Sequence, residues 1–152
     1  MKKVYIASDH GGFYLKEEIK KELSKGDYDV EDLGNTTFDE GDDYPDFSFS
    51  LGEKVSQNSG SFGIVIGRSG NGEAICANKI KGIRAALCTS EEMAKKAREH
   101  NNANVLSLGA DYIEKQELLK IVDTFLNTDF SNEERHVGRI NKISEYESSQ
   151  TK

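Results

Sequence analysis

Of the 152 residues, one is proline, two are cysteine and none is tryptophan. No apolar run approaches the roughly 20 residues needed to span a bilayer, so no membrane partner is expected. The two cysteines, Cys76 and Cys88, fall in predicted buried elements and form no Cys-x-x-Cys pair. They read as reduced core thiols rather than a disulfide, which fits a cytoplasmic protein. Positive charge is also short: the formal net charge is −7. Nucleic acid demands a basic footprint, so it is not an expected partner. An anionic ligand would need a few well-placed Arg, Lys or helix N-termini.

What is present suits a soluble single domain over 1–146 with a polar, frayed tail over 147–152; hydrophobic residues make up 36% and charged ones 31%. A chain of this size buries about two-thirds of its unfolded surface. Its start, Met-Lys-Lys-Val-Tyr-Ile-Ala-Ser-Asp-His, has no long apolar stretch and reads as a first strand rather than a signal peptide.

Residues 63–79 organise the rest. Ile64, Val65 and Ile66 form an apolar run bounded by glycines, the pattern of a strand buried on both faces. Gly67, Gly70 and Gly72 then make a loop whose amides can approach a ligand, and from about Gly72 the sequence suits a helix. A strand, a glycine turn and a helix start together make an anion site. Glu73 places a carboxylate beside that spot. Many α/β folds carry such loops, and an acidic residue in a first turn often only complements the helix dipole.

The other elements follow from periodicity and punctuation. Strands are predicted at 2–8, 28–33, 83–88 and 105–108. Helices are predicted at 13–25 (Leu15, Ile19 and Leu23 inward), from Pro45 (Phe47, Leu51, Val55), at 91–100 capped by Thr89 or Ser90, at 114–127, and from Ser131 or Asn132 onward. The alternation gives a five-stranded parallel sheet in a Rossmann-like three-layer α/β/α sandwich. Ligands bind outside the carboxyl ends of such strands. Asp9 and His10 follow strand one and Arg68 to Glu73 follow strand three, in keeping with that rule. His100 to Asn102 precede strand five and fall at the opposite edge. A dimer that lends this loop to a neighbour's site would resolve the geometry.

In chain order, Ser8-Asp9-His10-Gly11-Gly12, Asp43-Tyr44-Pro45, Gly67 to Glu73, Ala77-Asn78-Lys79, Gly82-Ile83-Arg84-Ala85, His100-Asn101 and Arg135-His136…Arg139 resemble the type B ribose-5-phosphate isomerases. These lie in the sugar-phosphate isomerase family that also holds galactose-6-phosphate isomerase subunits. The resemblance implies a homodimer with shared sites, in some members a tetramer, using no metal and no other cofactor. One subtype takes its base from a cysteine at the end of strand three; the other takes a glutamate from a Gly-Ser-Gly-Asn-Gly-Glu loop. The cysteine position here is Gly67, so Glu73 is the implied base and the implied substrate a phosphorylated sugar.

The resemblance assigns ring opening to His100 assisted by Asp9, and oxyanion stabilisation to Ser69 with the amides of Gly70, Asn71 and Gly72. Asn101 would hold a sugar hydroxyl, Tyr44 would close the pocket, and His10, Arg135 and Arg139 would grip the phosphate. Two positions depart from the family pattern: Arg68 replaces a small residue, and Asp111 replaces an arginine near the phosphate, which should weaken phosphate binding unless Arg68 or Lys115 compensates. Another sugar phosphate (galactose 6-phosphate or allose 6-phosphate) and a non-catalytic phosphate-binding module remain the competing expectations.

Overall fold

The structure, a computed structural model, describes residues 1–150. Five parallel strands form one sheet: β1 (Lys2–Ser8), β2 (Tyr28–Asp32), β3 (Phe62–Gly67), β4 (Ala85–Leu87) and β5 (Val105–Gly109), in the spatial order β2-β1-β3-β5-β4. Among the described residues six α-helices connect or follow them: α1 (Phe13–Leu23), α2 (Tyr44–Gln57), α3 (Asn71–Asn78), α4 (Glu91–Asn101), α5 (Lys115–Asn127) and α6 (Glu134–Ser149).

Alternation along the strands builds two cores. Val4, Ile6, Ile64, Ile66, Leu106 and Leu108 face α1, α4 and α5, where Ile19, Ala94, Ile121 and Phe125 meet them. Tyr5, Ala7, Val65 and Val105 face α2 and α3 and pack on Leu51, Val55 and Ala77. β1, β3 and β5 are therefore apolar on both faces, as a central parallel sheet requires. The chain leaves β1 in one direction towards β2 and returns to β3 on its other side. The carboxyl ends of β1 and β3 thus flank the crevice where such sheets bind ligands.

Several boundaries move. The fourth strand is limited to Ala85–Leu87: Arg84 N–H donates to the side chain of Asn104 at 2.8 Å instead of continuing a ladder. α1 ends at Leu23, α3 begins at Asn71, and Ser90 rather than Thr89 caps α4, accepting from the N–H of Met93 at 3.2 Å. The last helix begins at Glu134, with Ser131 and Asn132 outside it. It stays helical to Ser149, past the expected start of a frayed tail, and Glu147 Oε1 accepts from Gly82 N–H at 2.8 Å. Residues 151 and 152 lie outside the described residues. Among the described residues no helix is long and apolar enough to cross a membrane.

Candidate active site

Glu73 lies in the first turn of α3 and is 4% exposed. Its carboxylate is turned back over the end of β3: a Cβ added at Gly67 would fall 1.7 Å from Oε1. Burial raises its pKa above the usual carboxylate range, and the nearby charge of Asp9 pushes the same way; only its own backbone amide opposes them. The sequence left open whether the helix start and Arg68 would instead pull it down. Desolvation wins, because the side chain folds into the sheet end rather than out toward the guanidinium.

The loop before α3 is held in shape by its neighbours. Gly70 has φ +82°, a conformation that disfavours any side chain, and its carbonyl accepts from the buried hydroxyl of Ser107 at 2.7 Å. Ser69 Oγ accepts from Asn71 N–H at 3.2 Å. Tyr44, at the start of α2, lays its ring against Gly72, 2.5 Å from where a Cβ would stand.

The turn after β1 supplies the other wall. Asp9 is 8% exposed, and its Oδ1 accepts from Gly11 N–H at 3.0 Å. Burial raises its pKa, while the neighbouring His10 opposes the rise. His10 is bound twice by Asp42: Oδ1 accepts from its backbone N–H at 3.0 Å and pairs with Nδ1 at 2.7 Å. That hydrogen bond raises the imidazole pKa, favouring the cation and leaving Nε2 as the outward donor. Burial of Asp42 opposes ionisation, but the bonds from His10 outweigh it and keep its pKa low. Asp42 did not stand out in the sequence, where it was one acid in the polar loop at 35–43.

Beside His10 a cavity of about 560 Å³ is walled by Tyr14, Phe38, Glu40, Arg68 and Asp111. The two departures from the family pattern meet here: Arg68 Nη1 lies 3.6 Å from Asp111 Oδ2, and Asp111 N–H donates to the Arg68 carbonyl at 3.0 Å. Lys115 is committed elsewhere, 3.7 Å from Glu18 on α1. Asp9, His10 and Asp42 each offer a ligand atom within 4.8 Å of the others. Asp42 Oδ1 and Asp9 Oδ1 are already accepting hydrogen bonds there. Cys76, one turn beyond Glu73, is a buried free thiol, and burial pushes its pKa up. A raised thiol is a poor nucleophile.

Asp9, His10, Tyr44, Ser69, Gly70, Asn71, Gly72 and Glu73 therefore share one end of the sheet. His100, Asn101, Arg135 and Arg139 do not join them. β5 begins at Val105 opposite Gly63, while Gly109 stands opposite Gly67. The α4 end is thus about 13 Å of strand away from the Glu73 end. There His100 stacks on His136 with ring centroids 4.2 Å apart, and Arg135 is 2.9 Å from Glu133. Arg135 and Arg139 are exposed.

The pattern of the Ribose/Galactose Isomerase family matches residues 4–143. The chain belongs to that family. Among curated relatives, ribose-5-phosphate isomerase B of Mycobacterium tuberculosis is 42% identical over 145 residues, 95% of this chain and 90% of the relative. The Mycolicibacterium paratuberculosis protein of the same name is 43% identical, with 95% and 91% covered. The crystal structure of ribose-5-phosphate isomerase B from Mycoplasma genitalium with bound ribulose-5-phosphate superposes with a TM-score of 0.94 at 45% identity, covering 97% of each chain. The type B enzyme of Trypanosoma cruzi gives 0.94 at 37% identity, covering 98% of this chain and 100% of that one. The family expectation drawn from the ordered motifs is thereby met, as is the α/β sandwich.

Proposed function

We propose that this member of the family interconverts ribose 5-phosphate and ribulose 5-phosphate, with Glu73 as the carbon base. The observation that carries the assignment of the base is a carboxylate 4% exposed and folded over Gly67, beside the loop amides of residues 69–72. A raised pKa makes it a stronger base than an exposed glutamate.

The sugar is first opened: an imidazole, which can donate a proton from one ring nitrogen and accept one at the other, moves a proton between the ring oxygen and O1. His100 of a second copy fills this role, with Asp9 assisting. Glu73 then takes the proton from C2. The C–H electron pair becomes the C1–C2 double bond and the carbonyl pair moves onto O1, giving an enediolate. The Ser69 hydroxyl and the amides of Gly70, Asn71 and Gly72 stabilise that oxyanion. Glu73 returns the proton to C1, the O2 proton is transferred to O1, and the ketone forms at C2. Asn101 of the second copy holds a hydroxyl, and Tyr44 covers the pocket. His10 meets the phosphate together with Arg135 and Arg139 of the second copy, whose guanidinium forks suit its oxygens. The site needs no metal or other cofactor for these steps.

The separation of the two residue groups along the sheet supports a homodimer with shared sites. Buried, unpaired Cys76 and Cys88 support a reducing, cytoplasmic setting. The test is a panel of phosphorylated aldoses, six-carbon ones included, assayed with the wild type and Glu73→Gln. Ribose 5-phosphate is expected to turn over best, and Glu73→Gln to lose roughly 10²- to 10⁴-fold in kcat while still binding. Binding without turnover of any sugar would leave only a phosphate-ligand module.

A further inference from the structure

Lys16 takes no part in the steps above, yet its side chain is fully buried at 0% exposure. Nζ donates to both oxygens of Asp32 at 2.8 Å and to the carbonyl of Asn35. Asp32 is further tied to Lys20 Nζ at 2.7 Å and to Gly34 N–H at 2.9 Å. A buried ion pair of this kind is weak evidence for stability, since an apolar side chain of like size often serves as well. What the ammonium does here is directional: it fixes the main chain just after β2.

That main chain leads to the site. Asn35 N–H donates to the carbonyl of Ser8, and Ser8 N–H to the carbonyl of Gly34, each at 2.8 Å, so the segment lies alongside the end of β1. The Asn35 side-chain amide donates to Asp42 Oδ2 at 3.2 Å. The other oxygen of Asp42 holds both the backbone and the ring of His10. An unbroken hydrogen-bonded path runs from Lys16 through Asn35 and Asp42 to His10.

We infer that Lys16 is a positioning residue for His10, pinning Asn35 so that Asp42 aims the imidazole into the cavity. The inference rests on the reading of His10 as a phosphate contact. The charged groups that face the ring are Asp9 and Asp42 as anions and Arg68 as a cation, with Glu40 and Asp111 on the cavity wall. Release of Asp42 from its alignment removes the nearest of these and changes both where the ring points and when it holds a proton.

The experiment compares wild type, Lys16→Met, Asn35→Ala and Asp42→Asn. The His10 imidazole is titrated by NMR, its signal assigned by loss in His10→Gln, and kcat and KM are measured with ribose 5-phosphate. Lys16→Met and Asn35→Ala are each expected to make His10 lose its proton at lower pH. They should also raise KM about three- to tenfold, the size of one lost hydrogen bond, with a smaller change in kcat. In the Asp42→Asn background neither should add anything. A Lys16→Met protein that is less heat-stable but has the wild-type titration and KM would overturn the inference. If that variant does not fold, Asn35→Ala decides on the same readings. The titration is read whether or not any sugar turns over, so failure of the isomerase reading is seen separately.

Discussion

The carboxylate of Glu73 occupies the space that a side chain at Gly67 would need. On the proposed role of Glu73, the cysteine base that the resemblance implies at that strand end in one subtype and this glutamate are two ways of filling one position. This chain has no room for both, because a Cβ at Gly67 would overlap Glu73 Oε1.

Gly67→Ala tests this directly. The added methyl must push the Glu73 side chain aside, since β3 is fixed by ladders to β1 and β5. kcat is expected to fall at least about 100-fold, in the range for loss of a positioned base, and stability to fall by about 1–3 kcal/mol from overpacking. Adding Glu73→Ala to Gly67→Ala should restore the melting temperature but not the rate. Steady-state assays and thermal denaturation of the three variants check it.

The raised pKa of Glu73 sets two opposite pH trends. In its proposed role as base it works only when ionised, so kcat/KM should rise as pH climbs through the raised value, above the ordinary 4.5. For stability, the native chain holds the extra proton between 4.5 and that raised value, so stability falls as pH rises through the window. Above the raised value the ionised carboxylate is a net cost. Glu73→Gln is expected to melt at a higher temperature than wild type at pH 7 and at the same temperature below 4.5, as read by calorimetry across pH.

These trends show where sequence reading succeeds and where it stops. The sheet was legible because Val4, Ile6, Ile64, Val65, Ile66, Leu106 and Leu108 are apolar in short runs between glycines and polar turns. Glu73 stood out through its place in an ordered set of motifs, since glycine loops ending in a first-turn acid are common in α/β folds. Asp42 and Lys16 did not stand out: an acid among four in a loop and a lysine on an amphipathic helix look solvated until the main chain between them is placed. The β4 and α6 boundaries were missed for a similar reason. Arg84 N–H donates to the side chain of Asn104, so one ladder begins late, and Gly82 N–H donates to Glu147, which ties down the last turns of the other helix.

The Arg68–Asp111 pair is exposed, at 68% and 49%, so its contribution to stability should be small. Arg68→Ala is expected to cost under about 1 kcal/mol in denaturant unfolding. Its electrostatic effect falls on the cavity instead, where Asp111 cancels the guanidinium charge near His10. Asp111→Asn should lower KM for a phosphorylated substrate about two- to fivefold at low ionic strength, and the gain should shrink with added salt.

His136 is 4% exposed, its Nε2 has no partner among the described residues, and its ring stacks on His100. Burial, with His100 and Arg135 adding to it, holds its pKa below the ordinary 6.5. The unfolded chain therefore takes up the proton first as pH falls. The stabilisation is full above 6.5 and is lost progressively as pH drops through the folded value. His136→Phe keeps a ring against His100 and is expected to flatten the fall in melting temperature between pH 7 and 5.

The bond from Ser107 to the Gly70 carbonyl reaches into substrate choice. With that oxygen secured in the interior, the peptide cannot turn over, and its N–H, that of Asn71, stays folded back onto Ser69 Oγ before anything arrives. Sugars that need the loop to reshape would find a rigid mould, so discrimination among them falls to the walls contributed by other segments.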